Sequence, residues 1–389
     1  MGVLLLFAVA AIASAFMAWA IGAGSSGATP FAPAVGANAI SVMRAALVVG
    51  LLGFAGAALQ GASVSEAVGS ELVVGPPLPA SAVITALFIA AGLMAVGIVT
   101  GYPIATAFTV TGAIVGAGLA LGGDPAWEKY TEIAAMWLST PFVGGGLAYG
   151  IARVLPRPSV PESASIPVLG AVVGTIVVNV RFALLAPGGE MASLAVVAAR
   201  ELPLSPLAGR IAVTLAGALL VGGVVRLDLS RDVDDGLRHF LLALGGLVAF
   251  SAGASQVGLA VGPLVPLTVG TAIPVAALAA GGGVGLLLGS WTGAPRMIKA
   301  VAQDYSSLGP RRSISALLPS FAIAQGAVLF GIPVSFNQIV LSGIVGAGVA
   351  VGGGDVVSRR KVAVTVGAWA GSLLLAFVAG YGISLLFVA

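Results

Sequence analysis

Cysteine is absent from the 389-residue chain, and histidine occurs once, at His239. The first absence excludes disulfides, thiolate nucleophiles and thiolate metal sites. The second excludes a metal centre built on imidazoles. Charge is almost as scarce, with 8% of residues Asp, Glu, Lys or Arg against about 25% in soluble chains. Thirty-one charged side chains, 17 basic and 14 acidic, cannot cover a soluble body of this size, which excludes a soluble enzyme or a nucleic-acid binder. Aromatic residues make up 6% and strict apolar/polar alternation is missing, so a lipid-embedded β-barrel with a polar lumen does not fit either. What is abundant is apolar residue, at 59%, with a mean hydropathy of +1.11. These values leave an all-α polytopic membrane protein.

Twelve apolar segments can be drawn, at about 2–22, 43–61, 80–100, 104–122, 131–153, 165–187, 207–225, 239–255, 267–290, 314–331, 334–352 and 362–388. Most approach the roughly 20 residues that a helix needs to cross the hydrocarbon core. The first lacks the basic flank of a signal peptide and is read as a retained helix. Gly and Pro interrupt the pattern at 22–36, at Tyr102-Pro103, at 253–266 and at Ile332-Pro333. Inside a bilayer, non-helical backbone survives only where it lines a cavity or is buried in protein.

Those interruptions come in pairs. Ile21-Gly-Ala-Gly-Ser-Ser has a counterpart in Ser251-Ala-Gly-Ala-Ser-Gln, and Gly101-Tyr-Pro-Ile has one in Gly331-Ile-Pro-Val. Gly22 and Gly101 are 79 residues apart, and Gly253 and Gly331 are 78 apart. The following stretches also match, Thr111-Gly-Ala-Ile-Val-Gly-Ala-Gly against Ser342-Gly-Ile-Val-Gly-Ala-Gly. The chain thus divides into a first repeat over 1–153, a linker over 154–235 with two additional helices, and a second repeat over 236–389. Loop 62–79 holds Glu66 and Glu71 and no basic residue, whereas its counterpart 292–313 holds Arg296, Lys299, Arg311 and Arg312. Basic residues concentrate in short cytoplasmic loops, so the first loop is expected outside and the second inside. The repeats are therefore inverted, both termini lie outside a cell membrane, and the paired breaks mark a secondary transporter with its site near the midplane.

These residues resemble the inorganic phosphate transporter (PiT) family, which carries a Gly-Ala-Asn-Asp motif and a Pro-Val-Ser-Thr-Thr-His motif once in each half. The first motif falls on Gly22-Ala-Gly-Ser25 and Gly253-Ala-Ser-Gln256, the second on Pro103-Ile-Ala-Thr-Ala-Phe108 and Pro333-Val-Ser-Phe-Asn-Gln338. The resemblance implies an oxyanion permease, a symporter with sodium as coupling ion, and a homodimer. The family's two motif aspartates fall on Ser25 and Gln256, and its two histidines on Phe108 and Gln338. A diverged branch with neutral groups lining the site follows.

An oxyanion at the midplane needs converging N–H and O–H donors, and the N-termini of broken helices supply N–H groups with a favourable dipole. The hydroxyls of Ser25, Ser26, Thr29, Thr106, Ser255 and Ser335, with the amides of Gln256 and Asn337, complete a substrate-binding cradle. The bland alternative is that such groups bond across helices or to their own backbone. Arg181 is read as lying deep in an apolar helix, and Asp232–Gly236 as a solvated loop. Small residues at Gly285 and Gly289 suit helix packing rather than a dinucleotide loop. The expected function is a permease for inorganic phosphate working by alternating access, with no enzymatic activity and no cofactor beyond a coupling sodium ion or proton. Its partners are the oxyanion and the lipid bilayer. A sulfate permease and a non-transporting sensor derived from a transporter are the competing readings.

Overall fold

The computed structural model describes residues 2–186, 191–352 and 356–386. The chain begins with α1 (Gly2–Gly24), one turn of α2 (Ala32–Gly36), α3 (Val42–Gln60), a short α4 (Ala62–Ser70) and strand β1 (Val73–Val74). It continues through α5 (Ala80–Thr100), α6 (Thr106–Ala120), β2 (Asp124–Pro125) and α7 (Trp127–Val154). A connecting region holds α8 (Glu162–Asn179), a hairpin of β3 (Arg181–Phe182) and β4 (Ala192–Ser193), α9 (Leu194–Ala199) and α10 (Pro206–Arg231). Then follow α11 (Val233–Val261), a 3-10 segment (Gly262–Thr268), α12 (Val275–Thr292), α13 (Ala294–Gln303), α14 (Pro310–Leu329), α15 (Phe336–Gly352) and α16 (Arg359–Leu385). Each of the twelve apolar segments overlaps a helix over its described residues, with residues 187, 387 and 388 lying outside them. Among the described residues nine helices are long and apolar enough to cross a bilayer, and α6 and α15 are shorter apolar helices. At 15 and 17 residues they span about 22 and 25 Å, less than the roughly 30 Å hydrocarbon core.

The order of elements from α1 to α7 recurs from α11 to α16. Antiparallel β1 and β2 pair Val73 with Pro125, and an antiparallel bridge joins Ser306 to Val357 at the corresponding points of the second series. Both series stop a long helix in the same way. Gly101 takes a left-handed φ of 74° after α5, and Gly331 takes 63° after α14. A residue with a Cβ resists that conformation, and a proline two positions later keeps the helix from resuming.

The two series interlock rather than sit side by side. α6 packs on α16, α15 on α7, α1 on α12 and α3 on α11. The last two crossings are close backbone contacts. A Cβ at Gly253 would overlap the carbonyl oxygen of Gly53, and one at Gly289 would overlap that of Trp19. Gly253 therefore permits a helix crossing and does not break a helix. The expected interruption at 253–266 begins instead at Gly262, because α11 continues its hydrogen bonding to Val261.

Other boundaries also differ from expectation. α8 ends at Asn179, so Arg181 lies on β3 with an exposed side chain and is not deep in a helix. The stretch Asp232–Gly236 is no loop. Asp232 caps α11 by accepting from the Asp235 N–H at 2.8 Å, which turns the chain sharply from α10.

Substitution at the crossing provides a test. Gly253→Ala is expected to lower the thermal midpoint in detergent by an amount equivalent to about 1–3 kcal/mol, the usual cost of overpacking. Gly281→Ala, on a lipid-facing part of α12 with open space around it, is expected to leave the midpoint unchanged or raise it.

Candidate functional site

Two extended segments, 102–105 and 332–335, run into the N-termini of α6 and α15. Extended backbone inside a membrane leaves carbonyls without helical partners, and each costs several kcal/mol if unpaired. Side chains from distant elements satisfy four of them. Trp369 Nε1 donates to Pro103 O at 2.8 Å and Trp137 Nε1 to Pro333 O at 2.9 Å. Asn337 Nδ2 donates to Ile104 O at 2.7 Å and Gln256 Nε2 to Val334 O at 2.7 Å. Asn337 Nδ2 also reaches Gly24 O at 3.0 Å, at the end of α1.

A second set of hydrogen bonds draws the breaks together. Thr106 Oγ1 lies 3.0 Å from Ser25 Oγ and 3.2 Å from Gln256 Oε1. Thr106 has one hydroxyl hydrogen, and Gln256 Oε1 can only accept. The consistent order is Ser25 to Thr106, Thr106 to Gln256, and Gln256 to the Val334 carbonyl. Ser255 precedes Gln256 and Ser335 follows Val334, so one hydrogen bond holds both serines at the junction. The hydroxyls of Ser255 and Ser335, and Asn337 Oδ1, are buried without a hydrogen-bond partner. Because both N–H groups of Asn337 face carbonyls, the orientation of its amide is fixed and its oxygen stays open.

Of the eight residues the sequence singles out, all are buried. Thr106 touches both Ser25 and Gln256, and Asn337 joins the ends of α1 and α5–α6. Thr29 does not enter the cluster, because its hydroxyl returns to Ser25 O at 3.2 Å, as bland back-bonding would have it. Ser26 occupies the same turn as Ser25 and is 3% exposed. None of the eight carries a charge. The electrostatic character of the site therefore comes from the amino ends of α6 and α15, each equivalent to about half a positive charge. No side chain caps α6, which leaves its first N–H groups free to face an anion.

Two positions that sequence reasoning passed over are Trp137 and Trp369. They lie 232 residues apart, the repeat offset, and that spacing was the available signal. Trp137 also organises Phe108 and Gln338, where the resemblance implies histidines. Phe108 stacks on its ring with centroids 3.9 Å apart, and Gln338 Nε2 donates to its carbonyl at 2.8 Å. Trp137→Phe and Trp369→Phe keep the apolar bulk and leave Pro333 O or Pro103 O without a donor. Each is expected to destabilise the protein by about 1–3 kcal/mol, read as a lowered midpoint in thermal unfolding. An unchanged midpoint for both would contradict the carbonyl-pairing role.

Known proteins share this architecture. The chain matches the phosphate transporter family, PHO4, over residues 7–380. It is 26% identical to the "Putative phosphate permease TK2061" of Thermococcus kodakarensis, over 86% of each chain. It is 23% identical to the chloroplastic inorganic phosphate transporter 2-1 of Arabidopsis thaliana, over 87% of this chain and 65% of that one. A solved structure described as the sodium-dependent phosphate transporter superposes with a TM-score of 0.81, at 23% identity and 99% coverage of both chains. A helical polytopic membrane protein with a match over nearly its whole length, this chain belongs to the phosphate transporter family.

Proposed function

We propose that the protein is a secondary permease that carries inorganic phosphate across a cell membrane by alternating access, with the neutral cluster at the ends of α6 and α15 as its substrate site. The observation that carries this reading is the set of buried oxygens without partners, Ser255 Oγ, Ser335 Oγ and Asn337 Oδ1. Burying a polar group without a partner costs a few kcal/mol, and a bound oxyanion removes that cost. The two hydroxyls can donate to the anion. The asparagine oxygen can only accept, so it favours an anion that keeps a P–OH proton over sulfate, which has none near neutral pH. Family membership supports the same substrate.

The proposal includes the inverted arrangement of 1–153 and 236–389 around the linker 154–235, and the homodimer that the resemblance implies. Its sidedness rests on charge, the basic loop after α12 facing the cytoplasm and the acidic loop after α3 facing outside. Ser70 and Ser307 are exposed in those two loops. In this cysteine-free chain, S70C is expected to react with an impermeant thiol reagent on intact cells and S307C is not. Equal labelling of both would contradict inversion.

The coupling ion follows from the donor set. Gln256 offers one oxygen, which accepts from Thr106, and its nitrogen is committed to Val334 O. Ser25 is neutral, and no cluster of three or more His, Cys, Asp or Glu exists among the described residues. The strong carboxylate–cation attraction of a low-dielectric site is thus missing, and these residues do not fit a carboxylate-based sodium site. Coupling to a proton, or facilitated passage, takes its place. Replacing sodium with choline at fixed pH and potential is expected to change phosphate uptake by reconstituted vesicles little. Steep, saturable sodium stimulation would count against it. Ser335→Ala, which removes one donor to a charged ligand, is expected to lower uptake roughly tenfold or more, with the thermal midpoint retained.

A further inference from the structure

The central cluster holds no charged side chain, and the field of its helix amino ends falls off within about a turn, so it draws an anion from solution only weakly over distance. A cavity of about 470 Å³, away from the cluster, supplies what the cluster lacks. It opens between the carboxyl ends of α3, α8 and α14, with Arg181 on its wall and no acidic residue among the described residues that line it. From Arg181 a line of buried amides leads inward. Gln60 Nε2 donates to Arg181 O at 2.5 Å. Gln325 Nε2 reaches Gln60 Oε1 at 3.4 Å and Ser251 Oγ at 2.7 Å. Gln60 and Gln325 are 2% and 8% exposed, and amides buried in a helix bundle are costly unless they serve one another or a ligand. The line ends at Ser251, whose hydroxyl donates to Leu247 O at 2.8 Å, one helical turn before Ser255 on α11.

We propose that this cavity is the outer vestibule of the permease, and that Arg181 is the residue that gathers the phosphate anion at its mouth. The inference rests on the permease reading and on the sidedness argued from charge. On that sidedness the carboxyl ends of α3, α8 and α14 all face outside. A guanidinium suits the task, since its planar fork matches an oxyanion and it stays charged at any working pH. An exposed cation that raises the local anion concentration acts on capture rather than on the passage step. The linker region thereby contributes to function through β3, although it stands outside both repeats.

Two measurements test this. In reconstituted vesicles, R181Q is expected to raise the KM for phosphate at least about threefold, the effect of one unit charge some 7 Å away in water-like surroundings. Maximal rate is expected to hold, R181K to stay near the wild-type KM, and high ionic strength to erase the difference. An unchanged KM in R181Q overturns the proposal. The second measurement needs no transport. S63C, on the cavity wall, is treated from outside with anionic and cationic methanethiosulfonates of equal length. The anionic reagent is expected to be favoured, and the ratio of the two rates to fall several-fold when R181Q is added. An unreactive S63C, or a ratio indifferent to Arg181, overturns the vestibule. Absence of phosphate uptake by the wild type would refute the permease reading separately, with the thiol ratio still deciding whether Arg181 governs the cavity.

Discussion

Unpaired carbonyls in a membrane interior set the terms for this structure. Segments 102–105 and 332–335 leave the helical ladder, and no solvent is available to satisfy what they expose. Trp137, Trp369, Gln256 and Asn337 each donate to one of those carbonyls. Three of the donors reach across from one half of the chain to the other, Trp369 to Pro103, Asn337 to Ile104 and, in the opposite sense, Trp137 to Pro333. The extended segments can exist only when both halves are assembled, so the interlocking of the halves and the existence of the site are one constraint. The packing of α6 on α16 and of α15 on α7 brings the tryptophans to their carbonyls.

The same logic explains how the proposed site can do without charged side chains. Ser25, Thr106 and Gln256 form a directed chain of hydrogen bonds that ends on a backbone carbonyl, so these three are satisfied with no ligand present. Ser255, Ser335 and the Asn337 oxygen are not. The division gives the cluster a rigid, self-paired side and an open side. Rigidity on one side lowers the ordering cost on binding, and open donors beside two helix amino ends supply attraction. Aspartates in place of Ser25 and Gln256 would need a cation or a proton to be tolerated at this depth. The neutral pair does not.

Cavities elsewhere sharpen the contrast. A space of about 760 Å³ between α7, α15 and α16 is walled by apolar side chains such as Phe142, Leu341 and Val366, and offers a tetrahedral anion little to bind. The smaller space near Arg181 has amides and a guanidinium. Chemistry of the lining, not volume, distinguishes them.

The sequence by itself determined the fold class, the approximate positions of twelve apolar helices, and the pairing of breaks at 101–103 and 331–333. These follow from local rules, since apolar length, a glycine free to take positive φ and a following proline act within a few residues. It also marked Ser25, Thr106, Gln256 and Asn337, because polar groups in an apolar background are rare enough to stand out twice at one offset. Tertiary structure alone decided the rest. Gly253 reads in the sequence like a helix breaker, and only the approach of Gly53 reveals it as a crossing point. Arg181 reads as buried in a helix, and only the turn into β3 exposes it. Thr29 and Ser25 look equivalent as sequence, yet one hydroxyl bonds to its own turn and the other to Thr106. The roles of Trp137 and Trp369 depend on carbonyls some 200 or more residues away, and no local pattern encodes which distant carbonyl will lack a partner.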